Sequence, residues 1–127
     1  ELLAQPAVTT TDGGIIAAID ARRGELYVQA FDRTGQPVTE ATAGPVPSFV
    51  PPSGLLPGLL VGTGASLLGA ALPNWRIEGS IVQPDAAVLA RAAEAWRHRA
   101  CHRPPSPLYL RSPDAKLPAQ AAKAKTK

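Results

Sequence analysis

From residue 41 to residue 75 the chain carries no charged side chain, and residues 55–72 are strongly apolar. Such a stretch has to be buried, either in a bilayer or inside a fold. A membrane-spanning helix needs about 20 consecutive apolar residues, whereas this segment is interrupted by Pro57, Gly58, Gly62, Thr63, Gly64, Ser66 and Gly69. Small residues alone are tolerated in membranes, so the internal order decides. Leu59-Leu60-Val61, then Gly62-Thr63-Gly64, then residues 65–72 read as a buried strand, a tight turn and a short helix. No membrane span is expected.

The flanking sequence supplies the rest of an α/β plan. Residues 1–7 (ELLAQPA) read as a helix end closed by Pro6, and residues 9–14 as a polar turn. Residues 15–19 (IIAAI) form a continuous apolar run, the pattern of a strand covered on both faces. The turn over residues 20–25 (DARRGE) places Gly24 where a positive φ is needed. It leads into a strand over residues 26–31, with Leu26, Val28 and Ala30 on one face and Tyr27, Gln29 and Phe31 on the other. Residues 32–35 are another turn and residues 38–42 a third strand, which completes an antiparallel meander. Residues 44–57 hold five prolines and no charge, hence an extended connector. Residues 75–78 read as an edge strand. Pro84-Asp85 opens the clearest helix, with Val88, Leu89, Ala92, Ala93, Trp96 and Ala100 in one apolar stripe and Arg91, Glu94 and His98 away from it. Pro104-Pro105 stops that helix.

At 127 residues, 45% hydrophobic and 18% charged, with a net charge of +3, the chain has the composition of one globular domain. The charge is uneven. Residues 1–90 hold four basic and eight acidic side chains, and residues 91–127 hold nine basic and two acidic. The basic end reads first as a solvated helix face followed by a disordered tail over residues 120–127. The alternative is a contact with nucleic acid through Arg97, Arg99, Arg103, Lys123, Lys125 and Lys127. The single Cys101 excludes an intrachain disulfide and fits a reducing compartment. No cationic-then-apolar leader opens the sequence. With no Met and a first residue Glu1, the chain is expected to be part of a longer protein.

Side chains able to do chemistry are sparse. His98, Cys101 and His102 offer three metal-capable groups where a structural zinc site takes four; a helix end whose cations face the negative dipole terminus explains them, and no metal is expected. Gly62-Thr63-Gly64 could present backbone N–H groups to a phosphate. It lacks the third glycine of a dinucleotide fingerprint and the Gly-Lys-Ser/Thr of a P-loop, and a tight turn uses glycines for packing alone. Asp20, Glu25 and Asp32 are explained as turn and capping residues, Asp20 and Asp32 lying at opposite ends of one strand pair. Ser48, Ser53 and Ser66 have no paired base, so no catalytic residue is expected. Instead, Tyr27, Phe31 and Trp96 are expected as large core or interface anchors. Asp20, Arg22 and Gly24 should shape the hairpin end, and Tyr109, Leu110 and Arg111 should dock the chain's end back on the body. A buried Trp96 would lose about 3–5 kcal/mol on truncation to Ala.

Several segments carry a family resemblance. The hairpin I-D-A-R-R-G-E-L-Y-V-Q-A-F-D (residues 19–32), then L-L-V-G-T-G-A, then P-D-A-A-V-L-A-R-A-A, then the closing P-L-Y-L-R-S-P-D-A-K (residues 107–116) resemble, in that order, the C-terminal half of the bacterial TsaB (YeaZ) family, with an alphaproteobacterial flavour in the ending. The resemblance covers residues 1–119, apart from the basic tail. It implies an α/β, actin-like (ribonuclease-H-like) second lobe: a mixed sheet built from the antiparallel hairpin and meander plus the strand-turn-helix unit, flanked by helices. It also implies a cytoplasmic, non-catalytic subunit that binds TsaD, with TsaE joining and ATP turning over in the full complex. That complex forms threonylcarbamoyladenosine at position 37 of tRNA, which this subunit would meet indirectly. The older glycoprotease description of the family finds no support in these residues. The first lobe, which family members use for dimerising, has no counterpart in this sequence. Apolar surface left where it would dock should favour self-association, a homodimer included.

Overall fold

The computed structural model describes residues 1–99, 104 and 106–111. Among the described residues there are five strands, β1 (Ile15–Arg22), β2 (Glu25–Phe31), β3 (Thr42–Pro45), β4 (Leu59–Val61) and β5 (Arg76–Ile77), and two α-helices, α1 (Ala65–Gly69) and α2 (Ala86–Trp96). The strands form one sheet in the order β3-β2-β1-β4-β5. β1 pairs antiparallel with β2, and β2 with β3, while β1/β4 and β4/β5 are parallel. This mixed pattern follows from the connections. A two-residue turn can only return β1 as an antiparallel neighbour, whereas β4 reaches a parallel β5 through the crossover helix α1.

The period-2 alternation of the strands divides the core between the two faces of the sheet. On one face Ile16, Ala18, Leu26, Val28, Ala30 and Leu60 pack with Ala65, Leu68 and Trp75. The proline-rich connector returns Val46, Phe49 and Leu55 to the same face, so the charge-free stretch buries Leu59–Val61, Ala65, Leu68 and Trp75 in the fold while Val50, Leu56 and Leu67 stay exposed. On the other face Ile15, Ala17, Phe31, Leu59 and Val61 pack under Leu3, Ala4 and Ala7 from the chain's first residues. Among the described residues no helix is long and apolar enough to cross a membrane.

The hairpin, the strand-turn-helix unit and the β5 edge strand lie where the sequence places them. Other elements differ. The opening segment is a 3-10 turn over Gln5–Ala7 with Pro6 inside it, not a helix closed by Pro6, because proline suits the first helical positions, where no amide partner is needed. The third strand runs over Thr42–Pro45 rather than residues 38–42. The Thr39 hydroxyl accepts from the Ala30 amide, a bond a regular ladder would give to a carbonyl, so pairing resumes only beyond that irregularity. β1 is covered on both faces through Ala18, but Ile19 is 40% exposed.

The largest difference concerns α2. Asp85 caps it as its position requires, Oδ1 accepting from the Ala87 amide at 2.6 Å. Yet Ala92 is the one buried residue in the helix. Val88 and Trp96 are half-buried, Ala93 is exposed and Leu89 is 47% exposed; Ala100 lies outside the described residues. The helix runs beside Gln5, Pro6 and Thr9 of the opening segment, a strip too narrow to cover the whole apolar stripe. It ends at Trp96 and passes into a 3-10 turn over Arg97–Arg99, before Pro104. The buried tryptophan is Trp75, at 8% exposure, not Trp96.

Candidate functional site

The residues singled out from sequence converge on one end of the sheet. β1 and β4 are parallel, so the end of β1 and the Gly62-Thr63-Gly64 turn after β4 emerge side by side, the end at which open α/β sheets place their ligand crevices. The two are tied together. Gly64 N donates to the Ala18 carbonyl at 2.9 Å, and the Thr63 hydroxyl accepts from the Asp20 amide at 3.0 Å. A small polar hollow of about 340 Å³ lies between them, lined by Asp20, Arg22, Thr63 and Gln83.

The glycine turn serves the sheet. Gly62 N donates to the Ile81 carbonyl at 2.7 Å, Gly64 N to Ala18, and Ala65 N back to Gly62. Gly62 adopts φ +97°, and a Cβ there would fall inside contact distance of the Ala18 carbonyl oxygen. Backbone approach and left-handed φ thus account for Gly62, and the amides of Gly62, Gly64 and Ala65 are engaged within the protein rather than aimed at a phosphate.

The hairpin tip departs from ordinary turn chemistry. Arg22 pairs with Glu25 across a two-residue turn, and the register is irregular between Asp20 and Arg22. Both turn residues have positive φ, Arg23 at 56° and Gly24 at 77°, the type I′ pattern that favours Asn-Gly. Arg22 is also left-handed, at φ 67°. For a residue with a Cβ this conformation costs about 1 kcal/mol or somewhat more, and here two adjacent arginines adopt it. Their surroundings hold them. Asp20 Oδ1 accepts from the Arg22 amide at 2.8 Å, an Asx turn, while its other oxygen approaches the Arg22 guanidinium at only 3.9 Å.

The closing segment completes this end. Arg111 Nη1 donates to Glu25 Oε2 at 2.7 Å and to the carbonyl of Ala21, the residue left over by the register irregularity, at 3.4 Å. The pair is partly shielded, with side-chain exposures of 29% and 35%. Arg111 therefore ties residues 106–111 to the hairpin. Tyr109 does not contribute burial, being 83% exposed, and Leu110 is half-buried. Leu110 instead joins Ile19, Tyr27 and Trp96 around an apolar groove of about 480 Å³ on the sheet face that the opening segment leaves uncovered. Two of the three expected large anchors, Tyr27 and Trp96, thus line a groove, and only Phe31, fully buried, is a core residue.

The basic residues proposed for nucleic acid are engaged where they are described. Arg97 pairs with Glu94 at 3.5 Å; Arg99 donates to both Glu1 carboxylate oxygens and lies 5.3 Å from the centroid of the Trp96 ring. Arg103, Lys123, Lys125 and Lys127, the 120–127 tail, Cys101 and His102 lie outside the described residues. Among the described residues no group of His, Cys, Asp and Glu is placed to hold a metal ion. Asp32, at the far end of the hairpin, accepts from the amides of Thr34 and Gln36 and from the Thr34 hydroxyl. The Thr34 hydroxyl bond is the main cause holding its carboxyl below the usual value of 3.8.

Comparison with solved structures finds the same architecture. YeaZ from Pseudomonas aeruginosa matches with a TM-score of 0.58 at 22% identity, over 77% of this chain and 49% of that one. The fold is YeaZ-like. An uncharacterized protein with similarity to peptidase YeaZ, also from Pseudomonas aeruginosa, matches with a TM-score of 0.59 at 21% identity, over 87% of this chain and 55% of that one. The chain thus spans about half the length of the YeaZ-like structures it matches. Comparison with protein-family models and with curated proteins finds no match.

Sequence reasoning missed what makes the site a unit. In the sequence Glu25 and Ala21 belong to the hairpin and Arg111 to the closing segment, and the 86 residues separating Glu25 from Arg111 hide their ion pair. The available signal was Arg-Arg-Gly at positions where a type I′ turn prefers Asn-Gly.

Proposed function

We propose that this chain is the second, actin-like lobe of a TsaB-type protein: a cytoplasmic, non-catalytic subunit that binds and stabilises TsaD, with TsaE and ATP, in the complex forming threonylcarbamoyladenosine at position 37 of tRNA. The observation that carries this reading is the Arg111–Glu25 pair. The two motifs on which the resemblance rests, far apart in sequence, meet in one contact on a YeaZ-like fold. Three antiparallel strands followed by two parallel ones in the order 3-2-1-4-5 also suit the ribonuclease-H-like lobe that the resemblance implies. The Ser48 hydroxyl donates to the Pro45 carbonyl and the Ser80 hydroxyl to the Glu78 carboxylate, bonds that tie each serine into its own turn. On this reading the groove around Tyr27 and Trp96 is where the other half of such a protein packs.

Size-exclusion chromatography with light scattering tests the proposal, run on this chain and on a full-length TsaB-type chain containing it, each alone and mixed with TsaD. The full-length chain should shift to a heteromer with TsaD, while this chain alone should self-associate. Failure of both to co-elute with TsaD would refute the proposed function.

A further inference from the structure

We propose that Leu108-Tyr109-Leu110 is a self-association surface, lying antiparallel against the same three residues of a second copy of this chain, with Leu108 and Tyr109 of each copy packed over the groove of the other. Three consecutive large apolar residues stand here in a segment that is neither helix nor strand. Such a run is the pattern of a strand covered on both faces, yet only one side is covered. Leu110 joins Ile19, Tyr27 and Trp96 in the groove, while Leu108 and Tyr109 are 75% and 83% exposed. Leu108, Tyr109 and Tyr27 also line a hollow of about 240 Å³ that shares Leu110 with the groove, so the projecting residues and the recess occupy one surface. Among the described residues the backbone of residues 108–110 makes no hydrogen bond, which leaves an open edge for pairing. Arg111 fixes the end of the segment on Glu25 and Ala21, which lowers the ordering cost of association.

A second copy fits this surface because both halves of the contact are present on each chain. A two-fold axis beside Tyr109 puts the projecting pair of each copy over the recess of the other in one operation. Charge permits the meeting. Residues 104–110 carry no charged side chain, so the segment faces its own copy without opposing like charges. The first cation beyond it, Arg111, is engaged by Glu25 at 2.7 Å. At these exposures Tyr109 offers about 125–200 Å² and Leu108 about 45–90 Å² for burial. Counted with the groove surface they cover, two copies bury about 700–1,200 Å², around the ~1,000 Å² that a specific interface needs. The dimer is therefore weak and forms as concentration rises.

Sedimentation velocity of the whole chain over a range of concentrations tests this in the wild type, Tyr109→Asp and Leu89→Asp. Leu89 serves as the control because it is exposed on α2, outside the residues that line the groove. The wild type should pass from monomer to dimer, Tyr109→Asp should weaken the dimer about tenfold or more, and Leu89→Asp should leave it unchanged. Cross-linking gives a reading that does not depend on the Asp variant folding. With Tyr109 beside the two-fold axis, mild oxidation of Cys101→Ser/Tyr109→Cys should give a covalent dimer, and Cys101→Ser/Leu89→Cys should not. A wild type that stays monomeric, undiminished dimerisation of folded Tyr109→Asp, equal weakening by Leu89→Asp, or cross-linking no better at 109 than at 89 would each overturn the proposal. The contact rests on the groove being open, as the proposed function has it for this chain, and not on TsaD. Co-elution with TsaD plays no part in these readouts, so the two proposals fail separately.

Discussion

Truncating the two tryptophans one at a time tests the packing on which the site is built. Trp75 is 8% exposed and belongs to the cluster with Ile16, Leu26, Leu60 and Leu68. A tryptophan buries roughly 150–250 Å², which at about 25 cal/mol per Å² corresponds to ~4–6 kcal/mol of transfer free energy. Ala retains part of that area, so Trp75→Ala should cost about 3–5 kcal/mol. Trp96 is half-buried, and its ring lies 5.3 Å below the Arg99 guanidinium. A smaller share of that area, with about 0.5–1 kcal/mol from the cation–π contact and the part Ala retains taken off, gives a cost of about 2–3 kcal/mol for Trp96→Ala. Against a typical domain stability of about 5–15 kcal/mol, the first variant should be severely destabilised and the second only weakened. Urea denaturation followed by far-ultraviolet circular dichroism reads both without depending on the removed fluorophore. Acrylamide quenching of Trp75→Phe and Trp96→Phe gives an independent check, since only the remaining Trp96 should be readily quenched. If Trp96→Ala costs as much as Trp75→Ala, or Trp75→Ala costs less than about 1 kcal/mol, the assignment of the buried tryptophan is wrong.

Three further outcomes follow from named contacts. Gly62→Ala should lower stability by about 2 kcal/mol or more in urea titrations, since Gly62 sits at φ +97° against the Ala18 carbonyl; calorimetry of the wild type with ATP should be silent, and a binding isotherm abolished in this variant would restore a phosphate role to the turn. Arg111→Met should cost about 1–2 kcal/mol, a charged hydrogen bond discounted for partial exposure, and should speed amide exchange at the hairpin tip; unchanged exchange at Ala21 and Arg22 would show that the docking is loose. Because the Thr34 hydroxyl bond holds the folded Asp32 carboxyl below 3.8, its contribution to stability is present above that value and lost as the pH falls through the lower, folded one. Asp32→Ala should flatten the acid limb of the stability profile, and an unaltered limb would rule this contribution out.

Much of the architecture is legible along the chain because its signals are local. Apolar runs at residues 15–19 and 59–61, the turn chemistry around Gly24 and Gly62, and the Asp85 cap each depend on neighbours a few residues away, and each element lies where those signals put it. What failed did so through non-local contacts. The stripe on α2 predicts a helix correctly but not what covers it: the opening segment runs beside Val88 and Ala92, and Leu89 stays exposed. Trp75, read as part of an edge strand, becomes a core residue because α1 and the sheet close over it.

The candidate site divides in the same way. Sequence alone determined that Asp20, Arg22 and Gly24 shape a hairpin end and that Gly62, Thr63 and Gly64 make a tight strand-to-helix turn, since turn chemistry is a property of adjacent residues. Only the tertiary structure decided that these meet, through the parallel pairing of β1 with β4, and that Arg111 closes on Glu25. Backbone register and long-range ion pairing place side chains according to the whole sheet, and no window of consecutive residues contains that information.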